Sequence, residues 1–144
     1  MRWLEFGLVL ALVLGVGAGA AKAQEQRIDI ELMVSHLTSE GGEIDPRGQK
    51  LHQKLRDQFR YESLRVLEIR GLRLALNEVG SVGLPNGKSV RVQPLQLSGG
   101  GVLLAVDVEG AARMDLKVRK GHLVVIGAER YQDGKLVISL EPSW

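Results

Sequence analysis

Residues 102–119 read VLLAVDVEGAARMDLKVR, and their spacing decides the fold class. Val102, Leu104, Val106 and Val108 occupy every second position before Gly110. After it, Ala112, Met114, Leu116 and Val118 alternate with Arg113, Asp115, Lys117 and Arg119. Successive side chains of a strand point to opposite faces, so a period of two gives one buried and one wet face, where a helix would repeat near 3.6. Two such runs on either side of a glycine predict two strands and a turn.

The same grammar extends in both directions. Downstream, Lys120-Gly121 turns the chain into an apolar run at 123–126, and Asp133-Gly134 leads into a last strand at 136–140 that Pro142 is expected to stop. Upstream, the three glycines of 99–101 form a turn, and Leu84-Pro85-Asn86-Gly87 precedes Val90, Val92 and Leu95. Asn-Gly between alternating runs is a strong hairpin signal, because both residues accept the positive φ that a tight turn demands. Farther back, 64–69 and 72–76 read as two short strands parted by Gly71, and Ile28, Ile30, Leu32 and Val34 mark a first strand over 27–37.

A single stretch departs from this pattern. Asp45-Pro46 is a helix start, with aspartate as N-cap and proline where the missing N–H costs nothing. Leu51, Leu55 and Phe59 then fall at i, i+4 and i+8, so 46–58 is expected to be a short amphipathic helix. Roughly eight strands at short, regular spacing with one helix after the first predict a mainly β chain, an antiparallel sandwich or partly open barrel. The alternative is an α+β domain with the helix packed on one sheet.

The N-terminus carries an address. Arg2 precedes an apolar run from Phe6 to Val16, and Ala21-Lys22-Ala23 supplies a small-x-small exit before Gln24. A positive end, an apolar stretch and a small-residue exit are the parts of a secretory signal, so 1–23 is expected to be a cleaved signal peptide and 24–144 a single β-rich domain. Export would leave the protein in the periplasm or outside the cell, with no stable membrane anchor. The chain has no cysteine, which removes both a lipoprotein anchor and a disulfide framework. Loss of Arg2, Lys22 and Glu5 with the leader lowers the formal charge of +2 by one, and the remaining charges alternate in sign without forming a block. Nucleic acid is therefore not an expected partner.

Chemistry is weakly represented. Gly87-Lys88-Ser89 ends like a phosphate loop, but Val82 stands where its first glycine belongs, and the stretch opens a strand instead of a helix. His36, His52 and His122 are far apart, and none has a second ligand at metal-site spacing. They read as surface or boundary residues. Ser35 precedes His36, but neighbours in a strand face opposite sides and cannot form a nucleophile–base pair. Asp107, Glu109, Glu129 and Asp133 would form an acid–base pair only if the fold converged them. Aromatic residues are too few for a stacking platform, and Trp144 is expected to cap the core. No catalytic, cofactor-binding or metal-ligating residue is assigned, and an enzyme is not expected.

Residues 116–140, LKVRKGHLVVIGAERYQDGKLVISL, resemble the strand, lysine-glycine turn and apolar strand ending in Ile-Gly of outer-membrane secretins and their accessory β-domains. With Ile44-Asp45-Pro46 and Leu84-Pro85-Asn86-Gly87, the region after the leader is also similar to small exported bacterial proteins of unassigned function. The resemblance implies an envelope location. It transfers no functional residue, and the chain lacks the long multi-strand domain that a secretin pore needs.

The expectation from sequence is an exported periplasmic interaction or accessory module that contacts another envelope protein through sheet edges or loops. A carrier with a small apolar ligand between its sheets is the alternative, and an uncharacterised hydrolase comes third. The inside of the fold separates them. A filled core favours the module and an apolar chamber the carrier, whereas carboxylates converging on a histidine in a cleft favour the enzyme.

Overall fold

A computed structural model describes residues 26–144; the signal peptide read at 1–23 lies outside the described residues. The chain runs β1 (Arg27–Thr38), a 3-10 turn (Pro46–Gly48), helix α1 (Gln49–Leu55), β2 (Ser63–Ala75), β3 (Gly80–Gly83), β4 (Ser89–Ser98), β5 (Gly101–Val108), β6 (Met114–Arg119), β7 (Val124–Tyr131) and β8 (Gly134–Ser143). The strands form two antiparallel sheets of four, ordered β2-β1-β8-β7 and β3-β4-β5-β6. The architecture is a sandwich, not a closed barrel.

The period of two builds its interior. Ile28, Ile30, Leu32 and Val34 of β1 and Leu136, Ile138 and Leu140 of β8 meet Val90 and Val92 of β4 and Val102, Leu104, Val106 and Val108 of β5 in one buried cluster. From Met33 onward β1 is buried on its other face as well. There Met33, Leu37, Leu64, Val66 and Val137 form a second core beneath Leu51 and Leu55 of α1. The sandwich thus carries its helix on the outer face of the first sheet, which unites the two architectures expected from sequence. Helix and sheet approach closely at Gly48, where an added Cβ would run into Leu64 and lie 3.2 Å from Val66 Cγ2.

Several boundaries differ from expectation. The runs at 64–69 and 72–76 are one strand, and Gly71 pairs with Glu31 in its interior. A bulge at Leu67, between the partners of Val34 and Ser35, makes the apolar pattern look broken. β3 is four residues with two glycines, too short and too lightly apolar to announce itself. The expected count of eight therefore stands with one strand fused and another gained. The regular helix stops at Leu55, and 56–59 continue as turns on the Leu55 and His52 carbonyls. β8 runs through Pro142, whose carbonyl accepts from Gly121 N–H and so faces away from β1. β7 begins only opposite Leu140, so no neighbouring strand needs the N–H that proline lacks.

Candidate functional site: a capped edge, a cleft and an open edge

Two four-stranded sheets leave four edges, and this chain treats them differently. The first half of β2 is covered. Asp45 N–H donates to Leu64 O at 2.8 Å and Leu64 N–H to Glu43 O at 2.9 Å, so the chain before the 3-10 turn lies on β2 like a fragment of strand. Side chains continue the ladder: Val66 N–H donates to Asp45 Oδ2 at 3.1 Å, and Arg47 Nη2 donates to Val66 O at 3.0 Å. Arg47 also bonds the Asp45 carboxylate directly, and these bonds hold that carboxyl far below the usual range while raising the guanidinium. Asp45 is thus an N-cap as expected, accepting from Arg47 N–H at 3.0 Å, and an edge cover as well.

Between this cover, the start of β2 and the β7–β8 turn lies a cleft of about 790 Å³. His36, expected at the surface or a boundary, is in its wall and buried to 5% exposure. The β7–β8 turn folds over the ring, with Nε2 at 3.3 Å from Tyr131 O and 3.7 Å from Asp133 Oδ1, and Tyr131 meets it edge-on. Glu40, Glu43 and Asp45 line the same cleft. The Asp45 carboxylate holds Arg47 and Val66, whereas Glu40 and Glu43 are fixed through their backbone, Ser63 Oγ donating to the Glu40 carbonyl and accepting from Glu43 N–H. Gln132, in the cleft wall, takes a left-handed φ of 51°.

The other residues weighed in sequence have local duties. His52 Nδ1 meets the Tyr61 hydroxyl at 2.7 Å, and burial pushes the Tyr61 phenol up. His122 lies exposed after Gly121. Ser35 faces the second core, on the opposite side of β1 from His36. Lys88 does not face an empty loop: its ammonium and Asn86 Nδ2 both bond Glu129, tying the β3–β4 turn to β7. Glu109 Oε1 accepts from Ser89 N–H, and Asp107 lies opposite Arg91 on the outer face of the second sheet. Glu109 and Glu129 thus both hold the 86–89 turn, while Asp107 and Asp133 stand elsewhere. Trp144 packs against the main core beneath Lys120.

The second half of β2 and β7 remain, and the former carries Glu68, Arg70 and Arg73. β3 offers only four residues, and β6 carries Asp115, Lys117 and Arg119 along its length, the usual charged guard. β7 has eight residues, and Val124, Val125, Ile126, Gly127 and Ala128 carry no charge. Among the described residues, no backbone bond joins it to any segment beyond β8, and its one side-chain contact to backbone is His36 at Tyr131 O. A bulge at Ile126 is its only irregularity. Comparison with protein-family models, with curated proteins and with solved structures gives no match.

Proposed function

We propose that the protein is an exported interaction module of the bacterial envelope that binds an extended segment of another protein by strand addition at β7. The observation that carries this reading is the edge of β7, uncharged over 124–128 and, among the described residues, without a backbone partner beyond β8, in a fold whose other edges are capped, short or charged. An added strand gains main-chain hydrogen bonds, and side-chain pockets beside the edge supply selectivity. The signal-like sequence pattern at 1–23 supports a periplasmic site of action. The filled space between the sheets supports a module over a carrier, because a ligand there would have to displace packed Val and Leu side chains.

The test is cross-linking in cells with a tagged copy and its Ala128→Lys variant, followed by mass spectrometry of the captured proteins and of the mature N-terminus. Ala128 is exposed, so lysine leaves the fold intact while placing a charge on the apolar half of the edge. The expected result is a partner that the variant loses at an unchanged unfolding midpoint, with Gln24 as the first residue. A partner retained by the variant sinks strand addition at β7.

A second reading attaches to the cleft. A buried histidine 3.7 Å from a carboxylate in about 790 Å³ is a geometry that serves general-base hydrolysis. Hydrolysis of activated esters that His36→Gln abolishes would favour it over the interaction module.

A further inference from the structure

Beyond the end of α1, on the outer face of the first sheet, three cations converge. Arg130 of β7 and Lys135 of β8 stand directly opposite each other in the strand register, and Arg60 arrives from the loop after the helix. The three share a groove of about 210 Å³ with the Phe59 ring, Ser39 and Gly134. Lys135 Nζ lies 5.2 Å above that ring. Among the described residues, every ion pair within 4.0 Å involves other cations, so no carboxylate neutralises this group.

Like charges directly opposite on neighbouring strands destabilise a sheet. The other like-charge cross-strand pair, Glu31 opposite Glu141, is relieved by Lys50 on Glu141, whereas among the described residues Arg130 and Lys135 have no carboxylate within 4.0 Å. The groove has room for a carboxylate or phosphate group and is smaller than a drug-sized ligand needs. It is also continuous with the open edge, since Arg130 belongs to β7.

We propose that Arg60, Arg130 and Lys135 form an anion site that selects the partner, an acidic extended segment lying along β7 with one Asp or Glu carboxylate seated among the three cations. The inference rests on the strand-addition reading. Backbone bonding at the edge supplies affinity for any extended chain, and the guanidinium fork of Arg130 supplies bidentate recognition of the carboxylate.

The test titrates the purified protein by calorimetry with a peptide of about eight residues alternating valine and glutamate, with its valine–glutamine counterpart, and with inorganic phosphate. The glutamate peptide is expected to bind, and to weaken at least about tenfold between low salt and about 0.3 M salt as exposed charges are screened. Lys135→Glu is expected to abolish that binding while raising the unfolding temperature, because it converts the repulsive cross-strand pair into an attractive one. Loss of binding therefore cannot be loss of fold. Equal binding of the glutamine peptide overturns anion selection and leaves strand addition standing. Phosphate binding with neither peptide bound overturns the acidic-segment partner and the edge reading together, as does the absence of any binding. Glutamate-peptide binding that survives Lys135→Glu overturns the site.

Discussion

Ser35 and Ser139 sit in the second core, each with 0% of its surface exposed, and among the described residues neither hydroxyl has a hydrogen-bond partner. They occupy adjacent strands: Ser35 pairs with Val137 and Ser139 with Met33, which makes the two serines diagonal neighbours. A buried polar group without a partner costs about 1–3 kcal/mol in lost hydration. Ser→Ala removes that cost and keeps the Cβ that the helix packs on, leaving a gap of only one oxygen. Each substitution should therefore stabilise the protein by about 1 kcal/mol, raising the unfolding temperature by about 3–6 °C for a domain of this size. Urea titration of the two single variants and the double variant measures it, with the slope checked for constancy so that midpoint shifts report stability. The double variant should give about the sum of the singles. If instead each single substitution destabilises and the double is neutral, the two hydroxyls bond each other and the orphan assignment is refuted.

Three further outcomes follow from packing and charge. Leu51→Ala, at a helix position with 0% exposure, should lower stability by about 2–5 kcal/mol in the same assay, whereas a loss under about 1 kcal/mol would mean that α1 is not seated on the sheet. Two glycines should respond oppositely to alanine. At Gly134 a Cβ would enter the space of the Leu37 carbonyl oxygen and lie 3.2 Å from Thr38 Cγ2, costing about 2 kcal/mol or more; at Gly71 it meets nothing within 4 Å, and reduced freedom of the unfolded chain should gain about 0.5–1 kcal/mol. The third concerns pH. The Asp45 carboxyl is held lower in the folded chain than in the unfolded one, so its contribution is present above the ordinary carboxylate range and is lost as pH falls below about 4. Urea midpoints of the wild type and Asp45→Asn should differ near neutral pH and converge in acid, and parallel pH curves would contradict the role given to Asp45.

Much of the sandwich was legible because alternation is a local property. Residues 102–119 announce β5, their turn and β6 from side-chain order alone, and Asp45-Pro46 announces the turn that opens the helix. What escaped depends on partners distant in the chain. Gly71 resembles a break until Glu31 stands opposite it, and β3 is a strand only because Val90 and Val92 pair with it. The burial of His36 comes from a turn almost a hundred positions away, and the same holds for the site. Arg60, Arg130 and Lys135 are ordinary solvent-facing cations in the sequence. The register Arg130↔Lys135 was hinted at by Asp133-Gly134 between them, but Arg60 joins them only once the helix has crossed the sheet.

The pairing of the first strand with the last has a kinetic consequence. β1 is central in its sheet, and one of its two neighbours is β8, with Ile30 opposite Pro142. Until β8 arrives, one whole hydrogen-bonding side of β1 stays open and both its apolar faces lack their β8 neighbours, so the first sheet cannot close before the last strand is made. Contacts this distant make for slow folding, because the loop-closure entropy is lost before the contacts reward it. Under the export proposed above, that delay would disfavour collapse before the last strand has emerged, and the arrival of β8 would be the event that permits folding.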